Sequence, residues 1–488
     1  MREREFRLHD TLSGSVKPLT TLEPGHLRFY TCGPTVYSYA HIGNFRSFLS
    51  ADLVVRTARA LGWRVTWVSN ITDVGHLTQD DMADAAGEDK MEKALKSKEG
   101  EQFHNVWELA EYYTDAFRQD WERLNLVEPD VRPKATQHVR GQILAAEELV
   151  RKGFAYETPN GVYYSVEAFP EYGKLSGNTR ENLLKGVREE LVMDENKQDP
   201  ADFAVWKTDD KHLMQWYSPY GWGFPGWHIE CSVMAREYLG DTLDLHSGGE
   251  DNIFPHHECE IAQSEALTGK PFCNHWLHAR FLQVNGQKMS KSLGNFYTVR
   301  MLLERGYDAL AVRWALIAGH YGKPYNFTDQ GLSDAQVNID RMRRAVETVS
   351  GATAEGEDVL SAELGPLYEE ALDAMCADLN VSVALAKALE GARTISKLGE
   401  GISKASAEAG ARFLEKIDAL LGVVPSAERP APTDDFDESR ILALIEERAA
   451  AKKAKDFAKS DAIRAALAEE GIELRDTPNG VEWSRRAS

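Results

Sequence analysis

The chain has 488 residues, 43% of them apolar, only five cysteines and a formal charge of −21. That length exceeds what one core serves and sets an expectation of about two to four domains. No apolar run approaches the roughly 18 residues of a membrane span, five thiols do not make a disulfide framework in so long a chain, and the opening MREREFRLHD lacks a secretory apolar core. A cytoplasmic monomer without membrane contact is expected. The acidic total lowers the expectation of a nucleic-acid partner without excluding one, because RNA affinity depends on local basic patches.

Leu27, Phe29 and Thr31 alternate with Arg28, Tyr30 and Cys32, a strand pattern broken by Gly33-Pro34. From Gly43 the spacing of Phe45, Phe48, Leu49 and Leu53 predicts a helix with one buried face, ended by Gly62 and followed by a strand over 65–69. The unit is βαβ. A strand end meeting a helix start is where α/β proteins hold phosphate, and His41 and Asn44 share a face of that first turn. The mostly charged stretch 86–100 reads as a solvated helix.

Residues 131–211 read as an insertion between two halves of the sheet, 1–130 and 212–285, with a strand at 161–166. The second half carries a short strand at 243–246 and then Gly248-Gly249 and Asp251. Residues 286–330 hold a basic loop and helices from Val299 to His320, and 331–424 are helical, with Ile339, Met342, Val346 and Val349 on one face. Residues 425–436 form a proline-rich linker. The final module, 437–488, starts with a basic helix bearing Arg448, Lys452, Lys453 and Lys455 and ends in a hairpin turning at 476–480. Between 441 and 488 it has nine basic and nine acidic residues, against the acidic whole.

His41-Ile42-Gly43-Asn44 resembles the HIGH signature of class I aminoacyl-tRNA synthetases, and Lys288-Met289-Ser290-Lys291-Ser292 resembles their KMSKS loop, in the right order and about 250 residues apart. The flanks TCGPTVY, GWHIECS (226–232) and FPHHECEIAQS (254–264) are similar to cysteinyl-tRNA synthetases in particular. The resemblance implies a Rossmann-type parallel-sheet catalytic domain with a connective insertion, a helical tRNA-binding bundle and a small α+β anticodon-binding module. It implies activation of L-cysteine by ATP, with Mg2+, and transfer of the cysteinyl group to tRNA(Cys). The sequence departs from the family after Asn70-Ile71-Thr72-Asp73, where an aspartate-rich run is usual, and at Cys259, where Asn is usual.

His256 and Glu260 are four apart and share a helix face if a helix opens just after Pro255. Zinc takes sulfur, nitrogen and carboxylate ligands, and Cys32 and Cys231, both expected at strand ends, supply two sulfurs. By resemblance, Cys32, Cys231, His256 and Glu260 match the zinc ligands that bind the substrate thiolate; soft thiolate then outcompetes hydroxyl, so serine is rejected without an editing domain. His257 and Glu258 are the rival ligands, about 100° round a regular helix. Cys259 is expected to face elsewhere, and Cys273 and Cys376 to be structural.

For ATP, His41 and Asn44 are expected to hold phosphates, Gly248 and Gly249 to admit the adenosine, and Asp251 to accept from the ribose. Lys288 and Lys291 are expected to stabilise charge building on the β,γ-phosphates. Trp227 and His228 are expected to wall the amino-acid pocket, with Tyr37 and Thr72 at the substrate ammonium. Lys174 and Lys197 are candidates for acceptor-stem contact, and Trp483 for stacking on an anticodon base. Two other readings bear on the same residues. An adenylate-forming cysteine ligase with an amino-sugar acceptor, as in mycothiol synthesis, has no use for residues 331–488. A non-catalytic RNA-binding paralogue has no need of intact His41, Lys288, Lys291 and four metal ligands.

Overall fold

The computed structural model describes residues 4–75, 77–79, 86–179, 196–289 and 295–426, with scattered helical positions between 444 and 467 and the strands at 472–477 and 480–485. It divides into two compact units, residues 1–300 with 309–427 and residues 301–308 with 428–488. Among the described residues no helix is long and apolar enough to cross a membrane.

The large unit is built on four parallel strands: β1 (His26–Thr31), β2 (Arg64–Ser69), β3 (Leu245–Gly249) and β4 (Trp276–Ala279), in the order β4-β3-β1-β2. Helix α1 (Ile42–Ala60) connects β1 to β2, giving the expected βαβ unit, and Gly62 follows it at φ +82°. Phe45, Phe48, Leu49 and Leu53 are all buried. The expected amphipathic helix is nevertheless buried almost all round, and Arg46, Asp52 and Arg56 lie inside with the apolar residues. Helix α2 (Trp227–Leu239) and helix α3 (Glu258–Thr268) lead into β3 and β4.

The insertion contains a five-stranded antiparallel sheet, ordered Trp216–Ser218, Gly221–Pro225, Phe203–Thr208, Gly161–Tyr164 and Ala155–Thr158. It therefore runs past the expected limit at 211, because Gly221–Pro225 pairs antiparallel with Phe203–Thr208 and not with the parallel sheet. The stretch expected as one solvated helix at 86–100 is a strand, Ala86–Asp89, followed by a short helix, Lys90–Leu95, with Met91 buried. The strand expected at 243–246 forms two residues later and takes in Gly248 and Gly249.

Four helices, Asp329–Ser350, Ser361–Cys376, Val381–Ser396 and Lys404–Leu421, form the expected bundle. It belongs to the same compact unit as the parallel sheet. Asp52 of α1 helps explain why. Its carboxylate is completely buried, pairs with Arg56 at 2.9 Å and with Arg313, and accepts the Val127 N–H at 2.7 Å. The two guanidiniums also donate to the Asp418, Ala419 and Leu421 carbonyls at the end of the last bundle helix. The small unit contains the hairpin Ile472–Thr477/Gly480–Arg485, with Leu474 opposite Trp483; the side chains there, and the basic residues Lys452, Lys453 and Lys455, lie outside the described residues.

Burial alone would raise the Asp52 carboxyl, but Arg313 and Arg56 hold it below the ordinary value. Its stabilisation is therefore complete above the unfolded value of about 3.9 and is lost as pH falls through the lower folded value. Asp52→Ala, which leaves two buried guanidiniums short of a counter-charge, is expected to cost about 3–5 kcal/mol. Calorimetry at neutral pH checks this; an unchanged melting temperature would show that the network does not hold the unit together.

Candidate active site

The carboxyl ends of β1 and β3 open onto the start of α1. His41 caps that helix: its Nδ1 accepts the Asn44 N–H at 3.1 Å, and the Asn44 Oδ1 accepts the His41 N–H at 3.1 Å. With Nδ1 committed as acceptor, the neutral ring carries its proton on Nε2, so His41 presents a donor, as does the Asn44 Nδ2 amide. Space at Gly43 is tight: a Cβ would sit 3.0 Å from the His41 ring and 3.1 Å from the Met289 methyl. That methionine belongs to the basic loop, so the two signature motifs touch. Gly33, after Cys32, leaves no room for a side chain against the Asn70 carbonyl, and its N–H donates to the Asn70 Oδ1 at 2.8 Å.

Cys32 follows β1, and its N–H donates to the Ser247 carbonyl of β3 at 3.2 Å. Cys231 lies on α2, a helix and not the expected strand end. The two sulfurs are 3.9 Å apart. Glu260 on α3 places Oε1 3.5 Å from the Cys32 sulfur and 3.0 Å from the His256 Nε2. Donor atoms of Cys32, Cys231, His256 and Glu260 all lie within 4.8 Å of one another, and all four side chains are buried. A second quartet, Cys32, His246, His257 and Glu260, meets the same criterion. The expected separation of His257 fails because α3 does not open at Pro255. A wide turn over Ile253–His257, with Phe254 in extended backbone, precedes it and brings the His257 Nε2 to 3.3 Å from the Cys32 sulfur.

The cluster holds charge in the buried interior. Burial would raise the Glu260 carboxyl, but His246 and His256 bring it down to about 2. Burial would depress His256, and Glu260 overrides it, lifting the imidazole to about 10. Burial drives the Cys32 thiol well up; it acts the same way on Cys231, where the hydrogen bond from Cys32 and the nearby His256 win and set about 6. Burial and the neighbouring histidines push His257 down. Two sulfurs, an imidazole and a carboxylate gathered in this way are compatible with a metal ion. His246 was not legible as part of the centre: it contributes from β3, where its Nε2 meets the Glu260 Oε2 at 3.0 Å and orients the carboxylate. Its signal is only its place on the strand next to β1.

His228 and Trp227 stand beside the cluster. The His228 Nδ1 is 3.0 Å from the His256 Nδ1, and the Trp227 ring stacks on His256 at 4.4 Å. Thr72 is buried and its hydroxyl accepts from the Asn70 Nδ2 at 3.1 Å, while the Lys90 ammonium lies 5.5 Å over the Tyr37 ring. Cys259 faces the insertion, 3.4 Å from the Tyr172 hydroxyl, as expected of a thiol outside the centre. Asp251 is exposed at the tip beyond β3, and space at Gly248 and Gly249 is taken by Asn252, His257 and Asp251 of this chain. Lys288 pairs with Gln283 through its backbone; its side chain, and all of Lys291, lie outside the described residues. Lys174 pairs with Glu265 at 2.6 Å and Glu171 at 2.8 Å, and Lys197 donates to the Pro200 carbonyl.

Residues 18–337 match the family profile described as tRNA synthetases class I (C) catalytic domain. A cysteine–tRNA ligase of Salinibacter ruber is 52% identical, spanning 99% of this chain and 98% of its own length. The chain belongs to the cysteine–tRNA ligase family. Another member, from Chlorobaculum tepidum, is 40% identical over 99% of both chains. The class I fold extends to methionyl-tRNA synthetase of Mycobacterium tuberculosis in complex with methionyl-adenylate, which aligns with a TM-score of 0.58 at 15% identity over 81% of this chain and 92% of that one.

The two quartets differ in what each substitution does to bound metal. Cys231→Ser and His256→Asn are expected to lose it, whereas His257→Asn and Cys259→Ser keep it, as measured by atomic absorption on purified protein. The reverse pattern for the two histidines would assign the ion to the second quartet.

Proposed function

We propose that the chain activates L-cysteine with ATP and transfers the cysteinyl group to the 3′ end of tRNA(Cys), acting as a cytoplasmic monomer. The observation that carries this reading is the buried meeting of Cys32, Cys231, His256 and Glu260 in the same compact unit as the His41–Asn44 cap. These four residues would hold zinc, with His246 and His228 orienting the carboxylate and the imidazole. Bound there, zinc supplies a soft Lewis-acid partner for the substrate sulfur, which a serine hydroxyl cannot match.

The rest of the chemistry falls to side chains of the chain. The His41 Nε2–H and the Asn44 amide, at the positive end of α1, donate to phosphate oxygens of the Mg2+-bound ATP. The substrate carboxylate attacks the α-phosphorus, the bond to the bridging oxygen breaks, and pyrophosphate leaves with charge on it that Lys288 and Lys291 stabilise. A hydroxyl of the terminal ribose then attacks the carbonyl carbon, losing its proton as AMP departs. Trp227 walls the amino-acid side of the pocket, and Tyr37 and Thr72 border the ammonium. Residues 329–421 and the hairpin module are the surfaces offered to tRNA.

Cysteine-dependent ATP–pyrophosphate exchange, followed by aminoacylation, tests this. Both are expected, and Lys288→Ala should slow exchange about 100-fold, roughly 3 kcal/mol of transition-state stabilisation. Exchange without tRNA charging would point to an amino-sugar acceptor; absence of both would point to a non-catalytic RNA binder.

A further inference from the structure

Arg46 lies one turn into α1, only 2% exposed, and among the described residues no carboxylate pairs with it. Its charge is met by carbonyls instead. Nε donates to Arg280 O at 3.2 Å, Nη1 to Leu316 O at 3.2 Å and Gly319 O at 3.4 Å, and Nη2 to His320 O and Lys323 O at 2.9 Å each. A guanidinium has five N–H bonds, and here five carbonyls take them. The Tyr325 ring completes the seat, 5.0 Å from the guanidinium carbon.

The acceptors are not scattered. Arg280 and Lys323 each stand two residues before a strand, Leu282–Val284 and Tyr325–Phe327, which pair in parallel; Gln287–Lys288 adds the third strand of that small sheet. The basic loop leaves the sheet at Lys288. The Arg280 side chain and the Phe281 N–H also bind the Glu250 carboxylate at 2.7 and 2.8 Å, just past the end of β3 at Gly249. One buried side chain thus ties the helix capped by His41 to both segments that lead into the sheet carrying Lys288, and one of those segments is itself bound to Glu250 after β3.

We propose that Arg46 is a positioning residue for adenylate formation: its grip on both leading edges of the small sheet sets where the Gln287–Lys288 strand stands relative to the His41–Asn44 cap. The proposal rests on the activity proposed above. Lysine cannot replace it, having three donors on one point instead of five in a plane.

The test uses the metal-loaded full chain in cysteine-dependent ATP–pyrophosphate exchange. Exchange by the parent establishes the underlying activity independently of Arg46. In Arg46→Lys, kcat is expected to fall about 10- to 100-fold while the KM for cysteine and the metal content stay unchanged, since a displacement of about 1 Å costs that much. A loss that acts through Lys288 does not multiply with removal of Lys288, so Arg46→Lys/Lys288→Ala should be as slow as Lys288→Ala alone. Multiplying losses, a parent-like kcat, or a raised KM for cysteine would each overturn the proposal. Should Arg46→Lys not accumulate as folded protein, Tyr325→Leu, which removes the ring from the seat and keeps all five carbonyls, is judged by the same criteria.

Discussion

Desolvation of charge is the constraint around which the large unit is arranged. Taking an ion out of water costs several kcal/mol even after relaxation, yet the unit buries ions on its central helix and at the carboxyl edge of its sheet. Three arrangements meet that cost. Asp52 sits between two guanidiniums, whose remaining donors end on the bundle's carbonyls. Arg46 uses no anion and spreads its charge over backbone dipoles. At the donor cluster, Glu260 is shared by His246 and His256 while the Cys32 thiol donates to the Cys231 sulfur. Each arrangement joins segments far apart in sequence, so the charges that are costly to bury also dictate which segments meet.

The same constraint orders the unit along α1. Its first turn faces the nucleotide side, its second turn holds the small sheet, and its third and fourth turns hold the bundle. A helix that is surrounded in this way cannot shift one neighbour without straining another, because packed interiors are not continuously deformable. The bundle accordingly belongs to the catalytic unit and is not a separate body on a tether.

How much of this was legible from residues alone depends on which signal carried it. Alternation over 27–32 and the helical spacing of Phe45, Phe48, Leu49 and Leu53 gave the βαβ unit, and the four-residue step from His256 to Glu260 placed two donors on one side of the chain. Periodicity treats charged positions as solvent-facing, so it said nothing of Arg46, Asp52 or Arg56 as interior groups. It also assumes a regular helix, and the wide turn at Ile253–His257 defeated the expected remoteness of His257. Lys174 was legible as a charge but not as half of an ion pair, since Glu265 lies far along the chain. His246 has no local pattern at all; only sheet order brings it to Glu260.

The Asn44 cap bears on how the nucleotide cradle responds to acid. A histidine in that place would lend the helix start a second titrating ring, whereas an amide neither gains nor loses a proton over any range the protein tolerates. The bond from the His41 amide to the Asn44 oxygen therefore persists when the medium is acidified, and only the reciprocal bond to the His41 ring is open to protonation. The cradle thus carries one sensitive latch where two imidazoles would carry a pair.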